Sequence, residues 1–130
     1  MTTPVRIQRK RSKGFRLQDA SPNGLPVAYV GRPTILGNPF QMHDFIVIRP
    51  SNGEKEFGLY IDRKDAIEFY KKWFLSMWQS EQNEARPLQT FRNAVRNLAG
   101  KNLACWCPLN RECHADWLLE TVAEISRHGI

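Results

Sequence analysis

Three cysteines stand within nine residues, Cys105-Trp106-Cys107-Pro108-Leu109-Asn110-Arg111-Glu112-Cys113, and His114 follows at once. Thiols and an imidazole gathered in this way can bind a thiophilic metal. Equally, one thiol can serve as a nucleophile with the imidazole as its base. If 103–107 is extended, Cys105 and Cys107 share one face, because side chains alternate along a strand. Cys113 and His114 then follow a short turn and open a helix, whose unpaired N–H groups lower a thiol's pKa and attract anions. Three readings stay open. In one, Cys105, Cys107, Cys113 and His114 bind zinc, although adjacent Cys-His ligands are geometrically awkward and Cys-x2-Cys is the commoner spacing. In another, Cys113 is a reactive or ligand-contacting thiol, and His114 is a base, proton shuttle or phosphate contact. In the third, the cysteines only fill a buried strand. An odd total of three cysteines argues against a disulfide framework.

A second group lies in Tyr29-Val30-Gly31-Arg32-Pro33 and Gly37-Asn38-Pro39-Phe40. A guanidinium on a rigid Gly/Pro loop, here Arg32, can grip a phosphate or carboxylate with two parallel hydrogen bonds. Asn38 offers a donor and an acceptor in one group, as recognition of a base or ribose requires. Alternatively the segment is a turn whose Asn bonds only to nearby backbone. The sequence contains neither G-x-G-x-x-G nor a P-loop, which argues against ATP hydrolysis of the Walker kind.

Charge supplies the third group. The net charge is +6, yet Arg6, Arg9, Lys10, Arg11, Lys13 and Arg16 precede the first acid, Asp19. Residues 17–130 hold 13 cations and 13 acids, so the basicity belongs to an arm and the body is formally neutral. Such an arm can track a nucleic-acid backbone, with Phe15 available for stacking, or it can be a solvated tail. Arg9, Arg11 and Arg16 are the arm's candidate anion ligands.

These groups need elements to position them. The 130 residues, 42% hydrophobic and 25% charged, suit one soluble domain, with 1–16 as a basic arm or edge strand. No apolar run approaches the ~20 residues of a membrane span, and no signal peptide is evident, so the expected location is cytoplasmic. Short strands are expected over Val5–Gln8 and Val27–Val30, and a hairpin over Phe45–Ile48 and Phe57–Ile61 around Pro50–Gly53. Asp62 caps a helix that carries Ala66, Ile67, Phe69, Tyr70, Trp73, Phe74, Met77 and Trp78 at helical spacing. That periodicity makes Trp73 and Trp78 core residues. A second helix opens near Arg86-Pro87, carries Leu88, Phe91, Val95 and Leu98 on one stripe, and ends before Gly100. Lys101–Cys107 reads as a strand stopped by Pro108, and the last helix begins near His114. His43 and His128 stand alone, with nothing to recommend them as ligands. The sum is an α/β domain with a mixed sheet and a Rossmann-like strand-turn-helix at its C-terminus, or else an α+β domain. In Rossmann-type folds ligands bind beyond the carboxyl ends of the strands.

Arg6–Arg11 with Lys13–Arg16, Tyr29–Pro33, Gly37–Phe40, Leu103–Leu109 and Cys113–Asp116 together resemble domain-of-unknown-function family 4326. These are small single-domain proteins of bacteria and their phages, with no established activity. The resemblance spans nearly the whole chain. It implies that the arm belongs to the working surface, and that the Asn38 loop and the cysteine segment form one site.

The expected function is therefore binding of a nucleotide-like or other phosphorylated ligand, with nucleotide or nucleoside processing as one form. Arg9, Arg11, Arg16 and Arg32 would hold anionic groups, Asn38 would read the ligand, and Cys105 and Cys107 would contact it. Cys113 and His114 would carry any reactive step. The alternatives are a nucleic-acid binder with a structural Cys3His zinc site, or a phage inhibitor that sequesters a nucleotide or a host protein.

Overall fold

A computed structural model describes residues 3–40, 45–81 and 89–128. Its elements run β1 (Arg6–Gln8), β2 (Val27–Tyr29), β3 (Phe45–Ile48), β4 (Phe57–Tyr60), α1 (Arg63–Ser80), α2 (Thr90–Arg96), β5 (Asn102–Cys105) and α3 (His114–His128). Among the described residues, three α-helices with one parallel and one antiparallel sheet make an α/β or α+β fold. The parallel sheet has the order β1-β5-β2, so the last strand in the chain is the central one. Arg6 pairs with Leu103 on one side of β5, and Ala28 pairs with Leu103 on the other. All four β5 residues are buried, as a central parallel strand requires.

Asn102 opens β5 with a wholly buried amide, which the structure satisfies on every side. Its Oδ1 accepts from the Val5 N–H at 2.9 Å, and its Nδ2 donates to Ser21 Oγ at 3.0 Å and to Asn23 Oδ1 at 2.8 Å. One residue thus ties the arm and the 21–25 connector to the amino end of the central strand. Val30, Leu103, Cys105, Cys113 and Leu118 share the core with Tyr70 and Phe74 of α1 and Phe91 and Val95 of α2.

Helix α1 begins as its sequence requires. Asp62 Oδ1 accepts from the Asp65 N–H at 2.8 Å, and Asp65 reciprocates toward the Asp62 N–H at 3.2 Å. Trp73, Met77 and Trp78 pack half-buried against the core. Helix α2 is described from Thr90; Arg86, Pro87 and Leu88, where its start was expected, lie outside the described residues. Its first turn is capped from a distance: the buried Glu81 carboxylate accepts from the Phe91 and Arg92 N–H groups, each at 2.9 Å. Gly100, at φ 75°, occupies the left-handed position beyond the helix.

β1 starts at Arg6 rather than Val5 and β2 ends at Tyr29 rather than Val30, and two further strands also end early. The strand expected over 101–107 ends at Cys105, and the expected strand 57–61 ends at Tyr60. In the first case the ladder runs out of partners, because the Arg9 N–H to Cys105 carbonyl bond (2.7 Å) is the last cross-link on that side. Trp106 and Cys107 therefore lie in a bend. In the second, Ile61 leaves the hairpin to become buried. The hairpin itself pairs as expected, Phe45 with Tyr60 and Ile48 with Phe57. His43 lies outside the described residues.

Candidate functional site

Beyond the carboxyl ends of the three parallel strands, the chain builds a pocket of about 390 Å³. Cys105 closes β5, Cys107 sits in the bend, Cys113 directly precedes α3, and His114 is the helix's first residue. Their three Sγ atoms all lie within 4.8 Å of one another, with Cys105 and Cys113 only 2.9 Å apart. The three cysteines thus lie close enough to hold a metal. They converge without sharing a strand face, since the bend at 106–107 replaces the extended segment that the sequence suggested.

His114 is buried and oriented. Its Nε2 is 2.8 Å from the Val30 carbonyl. A carbonyl only accepts, so the proton is on Nε2 and Nδ1 carries the lone pair. That Nδ1 is 3.6 Å from Cys113 Sγ. The ring also packs edge-on against Tyr70, 4.8 Å between centroids.

Two arginines that were not among the candidate ligands hold the site together. The Arg6 side chain, 6% exposed, sends Nη2 to the carbonyls of Pro108 (3.3 Å), Leu109 (3.0 Å) and Arg111 (2.8 Å). Its Nε lies 3.0 Å from Asp116 Oδ1, an ion pair without hydrogen-bond alignment. Its Nη1 is 4.0 Å from Cys105 Sγ. Arg63, the first residue of α1, places Nη1 3.4 Å from Cys107 Sγ and 3.3 Å from the Glu112 carbonyl. The sequence signalled neither role. Arg6 looked like one cation of the arm, and Arg63 lies 44 residues from the sulfur that it meets.

The 31–40 loop forms another wall. Gly37 is required there, because a Cβ would stand 2.9 Å from backbone atoms of Gly31 and Arg32. Asn38 Nδ2 donates to the Ala66 carbonyl at 3.1 Å, and its Oδ1 accepts from the Phe40 N–H at 2.8 Å. Asn38 therefore clamps the loop to α1, leaving one amide hydrogen and one lone pair beyond these bonds. Arg32, Asn38 and Phe40 line the pocket with Arg63, the three cysteines and His114. Arg32 is exposed, and among the described residues no ion pair engages its guanidinium.

The arm reaches the rim rather than the pocket. Arg9 lies over the rings of Tyr29 and Trp106, 4.6 and 4.9 Å from the centroids, and Arg11 lies 4.8 Å over Trp106. Trp106 itself lines the pocket. Arg16 is exposed and is not among the lining residues.

Comparison with known families places the chain. The family model described as Domain of unknown function (DUF4326) matches residues 7–124. The chain belongs to this family. No curated protein and no solved structure matches it. The DUF4326 span takes in both pocket walls, all three cysteines and His114, whereas Arg6 lies one residue before it.

Electrostatics divide the DUF4326 thiols. Hydrogen bonds from Cys105 and Cys113, reinforced by Arg63, hold the Cys107 thiol far below its ordinary range. Cys105 is pushed up chiefly by its hydrogen bond to Cys107, and Cys113 by its bonds to Cys105 and Cys107 together with burial. Cys107 is the least buried of the three. Burial lowers the His114 pKa and keeps the ring neutral. Burial also works against the charge of Arg6, but Asp116 and the neighbouring sulfurs outweigh it, and its pKa rises.

Proposed function

We propose that this protein binds a phosphorylated, nucleotide-like small molecule in the pocket beyond β1, β5 and β2. One observation carries the reading. Arg32, an exposed guanidinium without an ion-pair partner among the described residues, shares a pocket with the amino end of α3. An arginine fork and a helix N-terminus both favour a phosphate. The pocket's place beyond the carboxyl ends of parallel strands is where Rossmann-type proteins hold nucleotides, an analogy of fold that supports the same ligand class. Phe40 and Trp106 supply apolar surface for a base, and Asn38 has donor and acceptor capacity left to read one. The donor set of three sulfurs suits zinc as the accompanying metal. No helix among the described residues is long and apolar enough to cross a membrane, and a cytoplasmic setting agrees with three free thiols.

A thermal-shift panel of nucleoside mono-, di- and triphosphates tests this reading. A ligand present at 100 times its Kd should stabilise the native state by about 2.7 kcal/mol. Arg32→Ala should abolish that gain. If no phosphorylated ligand raises the Tm, or if Arg32→Ala responds like the parent, the assignment fails.

A second reading rests on Arg9 and Arg11 flanking Trp106, a basic aromatic rim suited to a nucleic-acid strand. It predicts oligonucleotide affinity that falls steeply with salt. Affinity for mononucleotides that exceeds affinity for oligonucleotides would set it aside.

A further inference from the structure

Every sulfur of the cysteine cluster has its own N–H donor. Cys107 Sγ faces Arg63 Nη1 at 3.4 Å, Cys105 Sγ faces Arg6 Nη1 at 4.0 Å, and Cys113 Sγ faces the Ala115 N–H at 3.5 Å. The donors come from α1, β1 and α3, so this supply is built from three separate elements. Thiols that merely fill a core need no such arrangement, since an S–H group is only a weak acceptor. Metal-bound thiolates do need it, because outer hydrogen bonds orient and stabilise them.

Tetrahedral zinc with Zn–S near 2.3 Å sets sulfurs about 3.8 Å apart. All three Sγ atoms lie within 4.8 Å of one another, and seating the ion would move Cys105 and Cys113 apart from their 2.9 Å. Three thiolates around a divalent ion leave one net negative charge, which the two guanidiniums offset.

His114 does not complete the set. Its Nδ1 faces Cys113 Sγ at 3.6 Å but does not join the group of ligand atoms that lie within 4.8 Å of one another, which holds the three sulfurs alone, and its ring is wedged against Tyr70. Two adjacent residues rarely reach one metal from the first turn of a helix. The same sulfurs line the pocket, so the side of the cluster without a protein ligand opens toward ligand space. A site with three protein ligands and one open position is of the catalytic type, whereas structural zinc sites are closed.

We propose that Cys105, Cys107 and Cys113 bind a single zinc ion as thiolates. Its fourth position is open to the pocket and takes water or an oxygen of an anionic ligand. The three-sulfur set stands independently of the nucleotide reading; only the identity of the fourth ligand rests on it. Arg6 and Arg63 are positioning residues that neutralise the centre, and His114 packs behind it.

Cobalt(II), with azide as a small exchangeable probe, tests the proposal without any nucleotide. The intact chain, reduced and freed of metal, should take up one cobalt ion and show sulfur-to-cobalt charge transfer with the intensity of three thiolates. Azide should shift the ligand-field bands. Single Cys→Ser variants should lower the cobalt affinity at least ~10-fold, and Arg63→Met by ~10–100-fold. His114→Gln, whose amide can still donate to Val30, should leave the cobalt spectrum in place. Absence of charge transfer overturns the proposal, as does isolation of a Cys105–Cys113 disulfide as the resting state. A spectrum that changes with His114→Gln overturns the three-ligand set, and bands indifferent to azide overturn the open position. Failure of nucleotides to bind would leave the cobalt result standing, so the two readings fail separately.

Discussion

Asn38 and Arg6 both make structural bonds, whatever part they take in binding. Asn38 was expected to read a ligand, yet its first commitments are to Ala66 and Phe40. Replacing it by Ala leaves a buried carbonyl and a backbone N–H short of partners, a loss of about 1–3 kcal/mol in urea unfolding. Arg6 was expected as one cation of a basic arm or edge strand, and its guanidinium stitches three carbonyls of the 108–111 turn to β1. Arg6→Met should cost ~2–4 kcal/mol and accelerate amide exchange in 109–112 ahead of the rest of the domain. Unchanged exchange in that turn would show that the turn holds itself.

At the level of elements, what is local in sequence proved legible. Asp62 caps α1, Gly100 follows α2, and the aromatic stripe of α1 faces the core, because each depends on neighbours within one or two turns. Non-local devices left no trace in the sequence. Glu81 caps α2 from ten residues away, and the Asn102 amide binds the arm and the connector across more than 75 residues. The end of β5 was equally hidden, since it depends on where β1 and β2 stop pairing. Glu81→Ala should destabilise the domain by about 1–2 kcal/mol in urea unfolding, with Glu81→Gln retaining part of the cap. Asn102→Leu keeps the branched shape but orphans the Val5 N–H and removes one partner each from Ser21 and Asn23. A loss of about 2 kcal/mol or more is expected, and an unaltered midpoint would show that water replaces the network.

Across the whole molecule, the basic arm and the cysteine segment prove to be neighbours at one end of the parallel sheet. The net charge of +6 first pointed to a nucleic-acid partner. The arrangement of the arginines gives that charge distinct tasks: Arg6 and Arg63 support the thiols, Arg9 and Arg11 flank Trp106, and Arg32 remains for a ligand. Exposed Lys10 and Lys13 are peripheral to the pocket, so replacing both by Gln should alter nucleotide affinity less than ~3-fold at physiological salt, where screening acts beyond ~8 Å. The sequence showed which segments assemble the site, but the partner of each charge depends on how the strands stack. The most direct test is calorimetry of a nucleoside 5′-monophosphate and its parent nucleoside, against the intact chain and Arg32→Ala. The account predicts that the phosphate tightens binding by ~10–100-fold in the parent and that Arg32→Ala erases most of this difference. Equal affinity for nucleoside and nucleotide, or a phosphate preference that survives Arg32→Ala, would contradict it.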